Sequence, residues 1–323
     1  MAAIGSNKLS SAEFEDELTR IVGDLPISYR PNRGNAGDGM ICAATWQVFD
    51  RTHLTSQVSA QNRDGSGAFI FGGGGILVPL YESGARVLQE ALAGSYERIV
   101  ILPHTLRGHP ELLSLFDQRV HVFCRDLPSL ELANKHAPAA HLYLADDLAL
   151  ALDVEAALNP SWSKSSWSSL MARAPLFIKS RRRKRLRRWV QGTAQIRPQS
   201  DALRLMRADV ESIFAEENPQ SLDLSGLYLS KFKNRIEAEW ITRDFLRVLR
   251  LASRIETDRL HVSVAGSLLG KHVLMHDNSY GKNRAIYELS MRDRFSKLEW
   301  VDSRSQPGSA SSAPPKHAAQ RTK

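Results

Sequence analysis

Cysteine is scarce in this chain: Cys42 and Cys124 are the only two among 323 residues, and both lie in apolar stretches. Two isolated cysteines exclude a disulfide framework and are typical of a reducing compartment. No apolar run is long enough to cross a bilayer, and residues 1–30 lack the basic and apolar regions of a secretory signal. We therefore expect a cytoplasmic protein.

Acidic residues are outnumbered by basic ones, 35 to 43, but the excess is local. It is concentrated at residues 179–188, KSRRRKRLRR, and in the last twenty residues or so. The basic run is either a solvated helix face or a surface that docks on anionic lipid at the inner face of the plasma membrane. No nucleic-acid-reading motif surrounds it, so we expect no nucleic-acid partner and rank a noncatalytic nucleic-acid-binding protein last.

Short apolar runs alternate with amphipathic stretches along most of the chain. This alternation predicts an α/β fold with mostly parallel sheets covered by helices on both faces. The predicted strands are 67–71, 98–102, 120–124, 141–144, a strand ending near 256, and 272–275. The predicted helices are 82–92, 111–117, 127–136, 236–252 and 284–293.

The length of the chain favours two domains, because a single core stops growing at about this size. Residues 159–201 interrupt the alternation with Pro160, a Ser/Trp-rich stretch, the basic run and Pro198. We expect a Rossmann-like domain at 1–158, a linker with a basic insertion at 159–201, and a second Rossmann-like domain at 202–302. A disordered tail is expected at 303–323. The two domains would face each other across a cleft, in the GT-B-like arrangement.

Charged side chains follow two consecutive strands in the second half of the chain. Asp258, Arg259 and His261 lie between a short apolar strand and a helix, where the amino end of the helix favours an anion. Arg259 adds a planar fork for a carboxylate or phosphate, and His261 can move a proton near neutral pH. Lys282 lies in a turn after the next strand, so both segments belong at the carboxyl edge of a sheet. The alternative is structural: Asp258 caps the helix, Arg259 pairs with it, and His261 is a core histidine.

Two glycine-rich turns lie in the first half, GNAGD at 34–38 and GGGG at 72–75. Glycine permits positive φ and close backbone approach to a ligand, and Asp38 is placed to cap the following helix. The glycine spacing is not that of a dinucleotide-binding turn, so we expect no NAD. We expect this half of the chain to bind a ligand at these turns, with Asn35 and Asp38 as contacts.

His104 and Arg125 end two further predicted strands and are expected to face the same cleft. The alternative is a core histidine and a surface ion pair between Arg125 and Asp126. No cluster of histidine, cysteine and carboxylate residues has the spacing of a metal site, so we expect no metal.

These motifs resemble those of the polysaccharide pyruvyl transferases, bacterial enzymes that move an enolpyruvyl unit from phosphoenolpyruvate to a sugar. TDRLH at 257–261 with SYGKN at 279–283 is similar to the carboxyl-terminal signature of the family. GNAGD, the glycine-rich turn, LPHT at 102–105, CRD at 124–126 and LMRAD at 205–209 followed by Glu211 occur in the family's order. The resemblance runs from about residue 30 to 294.

The resemblance implies that the chain transfers a pyruvyl group from phosphoenolpyruvate to a sugar of a surface glycan, with no further cofactor and an acceptor that is lipid-linked in some pathways. On this basis we assign His261 as the general acid and His104 as a candidate base. We expect the first domain to hold the acceptor and the second to hold phosphoenolpyruvate. The expected substrate contacts are Arg125, Arg259, Leu260, Lys282, Arg207, Asn35 and Asp38. The alternative is a glycosyltransferase of the same two-domain shape that uses a nucleotide sugar.

Overall fold

The computed structural model describes residues 7–59, 65–160, 202–214, 221–228 and 232–302. Within these ranges, helices alternate with strands that form two parallel sheets, as the α/β prediction requires. The basic run at 179–188, nearly all of the predicted linker and the tail at 303–323 lie outside the described residues. The domain boundaries therefore stay predictions.

The first sheet has six strands in the order β1-β2-β4-β5-β6, with β3 paired to the carboxyl half of β4. The strands are β1 Ile27–Arg30, β2 Ala68–Phe71, β3 Gly74–Leu77, β4 Arg98–Leu106, β5 Val120–Cys124 and β6 His141–Leu144. The helices are α1 Ser11–Val22, α2 Ala36–Arg51, α3 Glu82–Ala93, α4 Pro110–Leu113, α5 Leu127–His136 and α6 Val154–Leu158. Short 3-10 turns cover Leu54–Gln57 and Leu148–Ala151.

The second sheet has four parallel strands in the order β10-β9-β8-β7. They are β7 Ala202–Arg204, β8 Arg254–Thr257, β9 His272–Met275 and β10 Leu298–Trp300. The helices are α7 Leu224–Leu227, α8 Arg235–Leu249, α9 Leu260–Leu268 and α10 Lys282–Ile286, which continues as a π-helical turn over Tyr287–Met291. None of the helices in the described ranges is long and apolar enough to span a bilayer.

One apolar core joins the two sheets. Alternate residues of the first sheet, such as Ile70 and Val100, belong to the same buried cluster as Ile255 and Val273 of the second sheet. The other face of the first sheet is covered by α3, α4 and α5, which form a separate cluster. Parallel strands buried on both faces account for the nearly continuous apolar runs in the sequence.

Helix α2 lies at the centre of this core, between the sheets and against α8. Eleven of its sixteen residues are buried, which is typical of a helix covered on most sides. The packing against α8 is close, since a Cβ added to Gly39 would lie 3.1 Å from Cγ2 of Ile241. The carboxyl ends of both sheets are thereby held beside the amino end of α2.

Candidate functional site

The amino end of α2 lies directly against His261 of the second sheet's edge. A Cβ added to Gly37 would lie 2.3 Å from Nδ1 of His261, far inside any permitted contact. Glycine at this position therefore lets the backbone of α2 pack on the imidazole ring. The GNAGD turn belongs to the first predicted domain and the TDRLH segment to the second. The two segments are in contact here.

Asn35 and Asp38 form the cap of α2. The Asn35 side chain accepts from N–H of Gly37 at 2.8 Å, and Oδ2 of Asp38 accepts from N–H of Asn35 at 2.8 Å, which is a capping box. The sequence predicted Asp38 as the cap of this helix. The structure instead has Asn35 as the N-cap residue, with Asp38 as the second partner of the capping box. Burial raises the pKa of Asp38, although the nearby His261 opposes the shift. Their contact with an acceptor stays a prediction.

Arg125 is buried, with 1% of its surface exposed, and pairs with Asp147. Its Nη1 donates to Oδ2 of Asp147, and its Nε donates to Oγ1 of Thr105 at 2.9 Å. Burial raises the pKa of Asp147, but the Arg125 guanidinium, His261 and the N–H of Ala149 together outweigh it and hold the pKa well below its usual range. The alternative pair with Asp126 is not formed, since Asp126 accepts instead from Arg107 at 3.0 Å.

His261 lies on the other side of the same Asp147 carboxylate. The two atoms concerned, Nε2 of His261 and Oδ2 of Asp147, are 3.7 Å apart. Nε2 has no hydrogen-bond partner in the part of the chain that the structure describes. The His261 side chain is 16% exposed, while Nε2 itself is buried beside the carboxylate with its hydrogen-bonding capacity unsatisfied.

His104 occupies a different environment from the one expected of a base in the cleft. It is fully buried, stacks on Phe71 with ring centroids 5.5 Å apart, and its Nε2 accepts from N–H of Ile76 at 3.2 Å. Burial and the nearby Arg125 lower the pKa of His104 to about 3. A neutral imidazole that is already hydrogen bonded to β3 favours a structural role in holding the glycine-rich turn.

Lys282 and Arg207 bring two cations to one carboxylate, that of Glu211. Nζ of Lys282 and Nη2 of Arg207 each lie 2.9 Å from Oε2 of Glu211. Burial lowers the pKa of Lys282 to about 8, with Glu211 opposing the shift. Burial also disfavours the ionised form of Glu211, but Lys282 and Arg207 outweigh it and lower its pKa to about 2.

Arg259 pairs with carboxylates on the loops that follow β7. Its Nη2 lies 2.9 Å from Oδ2 of Asp209 and also contacts Asp223, while its Nε is buried without a hydrogen-bond partner among the described residues. Helix α9 begins with no side-chain cap among the described residues, so no side chain satisfies its first N–H groups.

The structural alternative for this segment required Asp258 to cap α9 and to pair with Arg259, and neither contact exists. Oδ1 of Asp258 accepts instead from N–H of Arg207 at 2.7 Å, and its carbonyl accepts from Nδ2 of Asn283 at 2.6 Å. Asp258 therefore connects the loops after β7, β8 and β9.

Leu260 offers no side chain to the site. It is 3% exposed and belongs to the apolar core that joins the sheets. Its contact with substrate stays a prediction, and such a contact would involve its backbone N–H in the first turn of α9.

Three residues of the site are absent from the sequence prediction: Asp147, Tyr81 and Asp223. Asp147 carried a usable signal, because it follows a predicted strand in the same way as Arg125 does. Tyr81 precedes α3, and its hydroxyl donates to Oε1 of Glu211 at 2.9 Å. Asp223 lies in the loop between β7 and α7, and no local sequence pattern indicates that it belongs to the site. No group of three or more metal-ligating side chains is gathered within the described ranges.

Comparisons with known proteins bear on the family and the fold of the chain. A family model described as polysaccharide pyruvyl transferase matches residues 35–280. The fold is also that of the crystal structure of a functionally uncharacterised protein, KP1_0663, from Klebsiella pneumoniae subsp. pneumoniae NTUH-K2044, with a TM-score of 0.68 and 24% sequence identity. That match covers 91% of this chain and 100% of the other. No curated protein matches the chain.

Proposed function

Because the chain belongs to the polysaccharide pyruvyl transferase family and is a transferase, we propose that it takes its pyruvyl group from phosphoenolpyruvate and forms a ketal on a sugar of a surface glycan. The observation that carries this proposal is the meeting of Arg125, Asp147 and His261 beside the cations of the second sheet. A donor with a carboxylate and a phosphate requires several cations and one proton source in the same place.

The donor's anionic groups are held by Arg259, Lys282 and Arg125, with Arg207 beside them. Guanidinium groups bind carboxylate and phosphate through paired hydrogen bonds, and the uncapped start of α9 adds backbone N–H groups. Supporting this assignment, Lys282 makes one side-chain hydrogen bond among the described residues, to Glu211, which leaves two N–H groups for a ligand.

His261 supplies the proton in this scheme. The Nε2–H group protonates the methylene carbon of phosphoenolpyruvate, which makes the adjacent C2 electrophilic, and a sugar hydroxyl then adds to C2 and loses its proton. Cleavage of the C2–O bond releases phosphate, and a second hydroxyl of the same sugar closes the ketal with loss of its proton. One released proton restores His261 and the other is taken up by phosphate. The Asp147 carboxylate, whose Oδ2 lies 3.7 Å from the same Nε2, orients the imidazole.

The acceptor sugar is proposed to lie against the glycine-rich edge of the first sheet. Gly37 and Gly75 support this, because a Cβ at Gly75 would lie 3.0 Å from Nη2 of Arg125. Glycine at both points keeps the backbone of this edge against the His261 and Arg125 side chains, so an acceptor bound there would lie beside both. Asn35 and Asp38 remain proposed contacts.

A product assay tests the proposal. Enzyme, phosphoenolpyruvate and a panel of diol-bearing glycan acceptors should release phosphate and give a product whose NMR spectrum contains the methyl singlet of a pyruvate ketal. Release of a nucleoside diphosphate from a nucleotide sugar, with no phosphate from phosphoenolpyruvate, would instead support the glycosyltransferase alternative.

The role of His261 is tested by His261→Gln, which should lower kcat by about 10²–10⁴-fold without unfolding the protein. The matched control is His272→Gln on the exposed end of β9, where the side chain is 53% exposed and the rate should be unchanged. Equal rates for the two variants would remove His261 from the chemistry.

Docking of residues 179–188 on anionic membrane is a separate proposal, supported by the charge of that run. Flotation with anionic liposomes at physiological salt should retain the wild type and lose a variant neutralised at 181–185. Equal retention of both would contradict it.

A further inference from the structure

We propose that Glu211 is a positioning residue for the donor: its carboxylate holds the Lys282 ammonium and the Arg207 guanidinium side by side at the carboxyl edge of the second sheet. This inference rests on the proposed function for the identity of the donor. The contacts themselves come from the structure alone.

Four side chains donate to the Glu211 carboxylate, and Arg207 forms an ion pair with it. Oε2 accepts from Lys282 at 2.9 Å, from Asn278 at 3.2 Å and from Tyr280 at 3.3 Å, and Oε1 accepts from Tyr81 at 2.9 Å. Nη2 of Arg207 lies 2.9 Å from Oε2. Only 3% of the residue is exposed. A carboxylate with this many donors is fixed in position, and it fixes its donors in turn.

These partners come from both sheets. Lys282, Asn278 and Tyr280 follow β9, Arg207 follows β7, and Tyr81 lies between β3 and α3 of the first sheet. The backbone carbonyl of Glu211 also accepts from N–H of Ser279 at 3.0 Å. Glu211 therefore links the two strand ends that carry the cations to the first sheet.

The protonated form of Lys282 depends on Glu211, because the other charges that act strongly on the ammonium group are positive. Arg207 and Arg125 both disfavour its protonated form, and the Tyr280 ring lies below its ammonium at 5.1 Å. Asp38, from α2, is near enough for Lys282 to act on it, but burial dominates its titration. Glu211 is thus the carboxylate in direct contact with Lys282 in the described ranges.

A neutral residue at position 211 should therefore shift the titration of Lys282. Burial lowers the pKa of Lys282 to about 8, and the negative charge of Glu211 opposes that shift. Removing the charge should lower the pKa further, by about one unit or more. Donor binding by Glu211→Gln should then fail at a lower pH than in the wild type.

The first measurement follows Lys282 directly by NMR in protein labelled with ¹³C at lysine Cε, with Lys282→Arg used to assign its signal. The midpoint should lie near pH 8 in the wild type and at lower pH in Glu211→Gln. Glu211→Asp, which keeps the charge, should retain the wild-type midpoint, and it serves if the glutamine variant fails to fold. Glu155→Gln, on the exposed side of α6, is the matched control. An unshifted midpoint in Glu211→Gln would overturn the proposal.

The second measurement is calorimetric binding of phosphoenolpyruvate at pH 6 and pH 8.5. Relative to the wild type at the same pH, Glu211→Gln should lose about tenfold more affinity at pH 8.5 than at pH 6, because only at the higher pH is its Lys282 neutral. Equal losses at both pH values would mean a merely structural role. If the wild type itself bound no phosphoenolpyruvate, the donor assignment would fail, while the NMR titration would still decide the coupling of Glu211 to Lys282.

Discussion

The carboxyl edges of the two sheets differ in how their buried charged side chains are paired. At the first edge, Arg125 and Asp147 form one enclosed pair, with exposures of 1% and 0%, among glycines and apolar side chains. At the second edge, Arg207, Arg259 and Lys282 share several carboxylates, of which Asp209 is 36% exposed.

This difference indicates which edge can replace an ion-pair contact with a contact to a ligand. An enclosed pair is costly to break, because the partner left behind is a charge without solvent. A network with a solvated member can release one contact and accept a ligand in its place. The second edge is therefore suited to exchange a contact for an anionic donor, and the first edge to hold Arg125 and His261 in a fixed geometry beside it.

The largest expected effect comes from breaking the enclosed pair. Arg125→Ala leaves the Asp147 carboxylate buried without its guanidinium and should lower the free energy of unfolding by about 3–5 kcal/mol. Urea denaturation measures this change. Arg98→Ala, an exposed arginine at the start of β4, is the control and should change stability by less than about 0.5 kcal/mol. A loss for Arg125→Ala as small as the control's would remove the contrast between the edges.

A smaller effect is expected from Gly37→Ala, where the new Cβ meets the His261 ring. The clash at 2.3 Å should cost about 1–3 kcal/mol of stability and, by displacing the imidazole, about 10²-fold in rate. Gly39→Ala on the same helix meets only a methyl group of Ile241 at 3.1 Å and should lose less of both. Stability comes from thermal unfolding and rate from phosphate release, and equal rates for the two variants would contradict the close approach of α2 to His261.

Arg259→Ala tests the second edge. Since Asp209 and Asp223 keep some solvent contact, the loss of stability should be about 1–2 kcal/mol, smaller than for Arg125→Ala. The affinity for phosphoenolpyruvate should fall by about 10–100-fold, because a charged hydrogen bond is lost. Unfolding and calorimetry on the same preparation give both values. The comparison would be reversed if Arg259→Ala destabilised the protein more than Arg125→Ala.

The smallest effect is expected from His104→Gln. A glutamine oxygen can accept from N–H of Ile76 in place of Nε2, so stability should change by about 1 kcal/mol or less and the rate should be largely kept. His104→Ala, which leaves that buried N–H without a partner, should be the more destabilised of the two. A loss of about 10²-fold or more in rate for the glutamine variant would restore His104 as a base.

The regular elements were predictable where apolar periodicity is local. Strands β5, β6 and β9 and helix α5 have the predicted bounds, because each is a short apolar run or a single amphipathic face. Strand β3, Gly74–Leu77, was expected as a turn, since its partner is the carboxyl half of β4, and pairing with a distant segment leaves no local pattern. The same distinction between local patterns and distant contacts applies to the residues of the site.

Residues of the site that follow predicted strands could be found from the sequence, and those fixed by distant partners could not. Arg125, Arg259, His261 and Lys282 were identified, whereas Tyr81 and Asp223 gain their place through contacts with Glu211 and Arg259. The burial of His104 and its hydrogen bond to Ile76 arise from packing that its position at a strand end does not reveal, and its role as a base stays a prediction.

The packing of α2 against α8 has a consequence for synthesis on the ribosome. Helix α2 ends at Arg51, but α8, which covers it, begins only at Arg235. At ordinary rates of translation, the interval amounts to about 10–40 seconds. During that time the nascent chain presents the apolar surface of α2 without its cover, which makes it a natural client for chaperones. Expression should therefore depend more on chaperone supply and translation speed than the stability of the finished protein would suggest.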